Sequence, residues 1–145
     1  MGSDLSSIAP EDRHVRHVRV LLVEDDPADI TLLNEALAEI PGLTAEVTET
    51  GSLVQSLAMA QQGREFDVIL LDLRLPNGQG RAVFKAVSDA FPVTPIIILT
   101  GIDDPWYRRE LLAMGATNYL TKSRLTHDAL DVALSQAVEK AAVLR

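Results

Sequence analysis

The chain contains no cysteine, which excludes disulfides, thiol nucleophiles and thiolate metal sites together. Positive charge is scarce: 13 Lys and Arg stand against 21 Asp and Glu, a net charge of −8. Such a balance disfavours binding to a nucleic-acid phosphate backbone and suits the binding of cations. Long apolar runs are also missing, since none approaches the roughly 18 residues that cross a bilayer, so neither a membrane nor a nucleic acid is an expected partner. The opening residues, MGSDLSSIAPEDR, lack the apolar core of a secretory signal, and the cytoplasm is the expected compartment. What remains is ordinary. With 145 residues, 47% hydrophobic and 23% charged, the chain has the length and composition of one domain with one core.

Residues 1–16 are polar and read as a flexible N-terminal arm, leaving 17–143 as the folded body. In that body short apolar runs alternate with amphipathic stretches. The runs are Val18–Val23, Val68–Leu71, Ile96–Leu99 and a shorter one at Tyr119–Leu120. Three of these run without alternation, as expected for strands covered on both faces. Leu43, Ala45 and Val47 alternate instead, which suits a strand near a sheet edge. Helical spacing links Ile30, Leu33, Leu37 and Ile40, then Leu53, Leu57 and Ala60, then Val83, Phe84 and Val87. A fourth helix opens at Asp104-Pro105 and ends at Gly115, and Leu130, Leu134, Ala137 and Ala141 stripe a fifth. The order is (βα) five times, which predicts an α/β single domain with a doubly wound, five-stranded parallel sheet.

In such a sheet, ligands bind at the carboxyl ends of the strands. There the sequence places Glu24, Asp25 and Asp26, then Asp72, then Thr100, then Lys122. Clustered carboxylates repel and need a cation, and a set of oxygen donors suits Mg²⁺ or Mn²⁺. A carboxylate beside such a cation and a lysine can act as nucleophile toward a phosphoryl group. Any one of these acidic residues alone would read as a solvated loop carboxylate; carboxylates, a hydroxyl and an ammonium gathered at four strand ends read as a site.

The segments VRVLLVEDDP, FDVILLDLRLPNGQG, PIIILTG and GATNYLTK, in this order, resemble the receiver domain of two-component response regulators, over about residues 17–143. The resemblance implies the flavodoxin-like, CheY-like fold and a signalling phosphoacceptor rather than a turnover enzyme. It implies that Asp72 accepts a phosphoryl group from a sensor histidine kinase or phosphotransfer protein. Asp25 would ligate the metal, Glu24 would act beside it, and the backbone carbonyl of Arg74 would add a ligand. Thr100 and Lys122 would bind the phosphoryl group, and Tyr119 would be the aromatic switch. A downstream protein target, or a second copy in a homodimer, would dock on the face of the fourth helix, fifth strand and fifth helix. Asp26 reads as a helix cap, and Pro76, Asn77-Gly78 and Gly80 as shapers of the loop after Asp72.

Other readings are weaker. A phosphatase with an aspartyl nucleophile needs a second Asp where Arg74 stands, and no G-x-G-x-x-G follows the first strand for a dinucleotide. A pseudo-receiver that works without phosphorylation is disfavoured by the complete set of acidic pair, Asp72, Thr100 and Lys122. His14, His17 and His127 lack metal-ligand spacing, and the basic stretch Arg13, Arg16 and Arg19 reads as a solvated arm. Ser123 stands where family members usually have Pro, so a trans Lys122–Ser123 bond is expected, since a cis bond before a non-proline residue costs about 2.5–4 kcal/mol. Tyr107, Leu111 and Met114 should share the packed face of the fourth helix, with the sole Trp, Trp106, half-buried.

Overall fold

Uninterrupted Val, Ile and Leu can be buried on both sides of a strand only if helices cover both faces, and the architecture follows from that. The computed structural model describes residues 16–76 and 78–144. The first fifteen residues, hence most of the expected arm with Arg13 and His14, lie outside the described residues, as does Asn77 of the expected turn. The elements are β1 (Arg16–Val23), α1 (Pro27–Ala38), β2 (Leu43–Thr50), α2 (Leu53–Gln61), β3 (Val68–Asp72), α3 (Arg81–Ala90), β4 (Ile96–Thr100), α4 (Pro105–Ala113), β5 (Asn118–Thr121) and α5 (His127–Leu144). A two-residue antiparallel ribbon, Arg74–Leu75 against Gly78–Gln79, shapes the loop after β3.

The five long strands are parallel in the order β2-β1-β3-β4-β5, the doubly wound flavodoxin-like arrangement that the alternation predicts. Leu22 pairs with Leu70 and Leu70 with Ile97, so three strands share one register of apolar residues. Because side chains alternate across a strand, the sheet builds two cores. Leu21, Ile69, Leu71 and Ile98 face α3 and α4, meeting Val83, Phe84, Val87 and Leu111. Val20, Leu22, Leu70 and Ile97 face α1 and α5, meeting Leu33, Leu37, Leu130 and Leu134. β2 is an edge strand with half-exposed Leu43, Ala45 and Val47, as its alternation predicts. The order in which strands are added reverses between β1 and β3, and the crevice between their carboxyl ends becomes the site.

Four expectations need correction. Arg16, assigned to the arm, is the first residue of β1: its amide donates to the Gly42 carbonyl at 2.7 Å. Its guanidinium reaches Asp131 at 2.8 Å and Ser135 at 3.1 Å on α5. Arg19 is likewise a strand residue, bound to Asp67, so the basic stretch is no solvated arm at these two positions. Trp106 is 60% exposed rather than half-buried. Tyr107 and Leu111 turn toward the sheet, and Trp106, about 100° around the helix from Tyr107, faces away. Met114 is also exposed, because it follows the last residue of α4 and Gly115 turns the chain off that face at φ 116.

Candidate functional site

Val23 ends β1, and the next residue, Glu24, still donates its amide to the Thr50 carbonyl at 2.9 Å, so its side chain is fixed by the sheet. Glu24 is buried, with Oε1 accepting from the Asp26 amide at 3.1 Å. Asp26 caps α1, accepting from the Ala28 amide at 2.8 Å, so it performs the structural role its position suggests. Asp25 lies between them and is exposed. Asp72 is the last residue of β3; its side chain is buried, and its Oδ1 accepts from the Arg74 amide at 3.1 Å.

Glu24, Asp25 and Asp72 each offer a carboxylate oxygen within 4.8 Å of the other two. Among the described residues this is the one group of three or more such side chains that could hold a metal ion. Lys122 follows β5, and its ammonium lies 2.7 Å from Glu24 Oε2 and 3.5 Å from Asp72 Oδ2. The contact with Glu24 is an ion pair without hydrogen-bond alignment, and buried Oε2 has no hydrogen-bond partner. Burial pushes the Glu24 carboxyl up, to about 7, against the pull of Lys122 and the Asp26 amide, with the charge of Asp72 adding to the rise. Burial by itself would lower the Lys122 ammonium; its hydrogen bond to Asp29, its contact with Glu24 and the charge of Asp72 outweigh that and raise it.

These groups line an open cleft of about 520 Å³ together with Asp29, Arg74, Gly101 and Ile102. The donors are all hard oxygens, one of them buried without a hydrogen bond, and the carboxylates outnumber the ammonium. Such a set fits a small divalent cation such as Mg²⁺ or Mn²⁺.

Thr100 and Tyr119 lie beside this cleft and share one neighbour. Thr100 Oγ1 accepts from the Ile102 amide at 3.1 Å, while the Tyr119 hydroxyl donates to the Ile102 carbonyl at 2.7 Å. Tyr119 is buried and meets Tyr107 edge to face at 6.4 Å between ring centroids. Its ring thus points inward, against the loop that Thr100 holds. The Arg74 side chain is exposed at the cleft and makes no ion pair among the described residues. Lys122–Arg124 forms a 3₁₀ turn, and the Lys122–Ser123 bond is trans, there being no cis peptide among the described residues.

One residue escapes the sequence reading. Asp29, in the first turn of α1, accepts a hydrogen bond from Lys122 at 2.8 Å across 93 residues. An acidic residue there is what the helix dipole favours anyway, so the sequence carries no signal that sets it apart.

Comparison with known proteins matches residues 20–135 to the response regulator receiver domain. The chain is 32% identical over 131 residues to the uncharacterized transcriptional regulatory protein YxjL of Bacillus subtilis, covering 88% of this chain and 57% of that protein. It is 33% identical over 117 residues to the photosynthetic apparatus regulatory protein RegA of Rhodobacter capsulatus, covering 81% and 61%. The chain therefore spans less than two thirds of the length of either relative. Among solved structures, the receiver domain of sensor histidine kinase PA1611 from Pseudomonas aeruginosa superposes with a TM-score of 0.70 at 26% identity, covering 86% of this chain and 99% of that one. That structure has a magnesium ion coordinated in its active site cleft. No helix among the described residues is long and apolar enough to cross a membrane. Motifs, strand order and family match converge, and the chain belongs to the response regulator receiver domain family of two-component systems.

Proposed function

We propose that this chain is a phosphorylation-controlled switch in which Asp72 accepts a phosphoryl group from a phosphohistidine on a sensor histidine kinase or phosphotransfer protein. The observation that carries the reading is the Asp72 carboxylate set among Glu24, Asp25 and Lys122 at the end of the central strand. In the transfer, an Asp72 oxygen bonds to phosphorus as the bond from phosphorus to the donor's imidazole nitrogen breaks. The electron pair of that bond stays on the nitrogen. Glu24, Asp25, Asp72 and the Arg74 carbonyl would hold Mg²⁺ or Mn²⁺, which neutralises charge on the phosphoryl oxygens. Lys122 supplies the second positive charge, and Thr100 donates its hydroxyl to the phosphoryl group. When Thr100 turns to do so, it releases the Ile102 amide, and the grip of Tyr119 on the Ile102 carbonyl becomes the route by which the loop and α4 respond.

The output surface is the α4-β5-α5 face, where Trp106, Ile102 and Met114 stand exposed on or beside α4. A downstream protein target, or a second copy of the chain, would dock there. The acidic chain fits a cytoplasmic setting. A phosphorylation-independent interaction module is the competing reading, and labelling separates the two. Incubation with a small-molecule phosphodonor and Mg²⁺ should label the wild-type chain, chelation should prevent it, and Asp72→Asn should abolish it. Undiminished labelling of Asp72→Asn overturns the assignment, and failure to label the wild-type chain favours the module.

A further inference from the structure

A lysine ammonium has three N–H donors, and three carboxylates surround Lys122 unevenly. Asp29 Oδ2 lies 2.8 Å away and Glu24 Oε2 2.7 Å, but Asp72 Oδ2 is 3.5 Å away. Of the two close contacts, only the one to Asp29 is an aligned hydrogen bond. Asp29 is not needed to cap α1, because Asp26 fills that position through the Ala28 amide. Its carboxylate instead reaches from the first turn of α1 to the end of β5, and it stands outside the group of three that can hold a metal. The Lys122 side chain is 17% exposed and that of Asp29 27%, so water screens the pair only in part.

We propose that Asp29 is a positioning residue for Lys122: it holds the ammonium against α1 while Asp72 is free and yields it when Asp72 carries a phosphoryl group. The inference rests on the reading of Asp72 as phosphoacceptor. A phosphoryl group places further acceptor oxygens and added negative charge on Asp72, so Lys122 gains more by turning to Asp72 in that state than in the free one. That difference is what can move the lysine. While Asp29 competes, only a fraction of molecules present Lys122 free for the phosphoryl group, and apparent affinity falls by that fraction. Asp29 thereby holds down the response of the resting site to weak donors.

The test is calorimetric titration with beryllofluoride, a phosphoryl mimic, at saturating Mg²⁺ for each protein. Wild type, Asp29→Asn, Lys122→Gln and the double variant form a cycle that isolates the coupling between the two residues. Asp29→Asn should bind about fivefold more tightly than wild type, which corresponds to about 1 kcal/mol. In the Lys122→Gln background the same change should alter affinity less than about twofold, because there is no ammonium to release. Asp29→Asn binding no tighter than wild type overturns the inference. So does an equal gain with and without Lys122, which would reduce Asp29 to one more repelling charge. A wild-type chain that fails to bind beryllofluoride at all overturns the acceptor reading itself, and this inference with it.

Discussion

The sheet has a cleft at each edge, about 520 Å³ at the carboxyl ends of its strands and about 410 Å³ near the amino ends of β3 and β4. Each is lined by charged residues, but the charges are used differently. Near the amino ends Asp67 accepts from the Arg19 amide at 2.8 Å and from its guanidinium at 3.3 and 3.4 Å. Arg64 lies over the Phe66 ring at 5.4 Å, and Phe66 meets Phe91 edge to face. Cations there are matched by carboxylates or by rings. At the carboxyl ends Glu24, Asp29 and Asp72 surround the Lys122 ammonium, Asp25 adds a further carboxylate beside Glu24 and Asp72, and a buried carboxylate oxygen has no hydrogen bond. Concavity of similar size therefore says little about chemistry in this molecule. Charge that the fold concentrates and leaves unmatched is what distinguishes the site.

The largest effect expected from this contrast is stabilisation by a divalent cation. At a Mg²⁺ concentration 100 times its Kd, the unfolding free energy of the wild-type chain should rise by about 2.7 kcal/mol, and chelation should reverse it. Asp25→Asn should lose most of that gain. Without metal the same variant should be no less stable than wild type, since it removes one of the repelling carboxylates. Urea unfolding with and without Mg²⁺ measures both. An equal gain in wild type and Asp25→Asn would place the cation outside the carboxyl-edge group.

Next in size is the loop geometry that shapes each edge. Gly80, after β3, has φ 72 and ψ −149, a backbone region that only glycine adopts readily, and an added Cβ would lie 3.2 Å from the Tyr107 hydroxyl. Gly63, near the amino-end cleft, has φ 75 with nothing within 4 Å of an added Cβ. Gly80→Ala should cost about 1–3 kcal/mol. Gly63→Ala should sit at the low end of that range, about 1 kcal/mol. Equal losses in thermal unfolding would mean that the carboxyl edge is no more tightly specified than the other.

The fold was legible because its strongest signals are local. Val68–Leu71 and Ile96–Leu99 have no polar face to expose, and the stripes Leu33-Leu37-Ile40 and Leu130-Leu134-Ala137 are buried as spaced. The acidic residues at the ends of β1 and β3 were legible for a derived reason: a parallel sheet collects its strand ends on one edge. What escaped depends on contacts between distant segments. Arg16 looks like part of a polar tail until Asp131 and Ser135 of α5 are seen beside it. Trp106 is the largest apolar side chain in its helix, yet Tyr107 and Leu111 take the inward face and leave it in water. Asp29 resembles any acidic residue near a helix start, and only the approach of β5 to α1 gives it a lysine.

The smallest expected effect is the most diagnostic of where the attraction for cations resides. Arg64 contacts the Phe66 ring and donates to Thr48 Oγ1 at 3.4 Å, so Arg64→Ala should lower stability by about 0.5–1 kcal/mol, the range of an exposed cation–π contact. The substitution also makes an acidic chain more acidic, taking the net charge from −8 to −8 − 1 = −9. If overall charge drew Mg²⁺ to the molecule, affinity would rise. Exposed charges separated by more than about 8 Å are largely screened at physiological ionic strength, and Arg64 lies at the edge of the sheet away from the carboxylates. Calorimetric Mg²⁺ affinity of Arg64→Ala should therefore equal that of wild type at 0.15 M salt as an order of ionic strength. A clear tightening would shift the explanation from the local geometry of Glu24, Asp25 and Asp72 to the field of the whole chain.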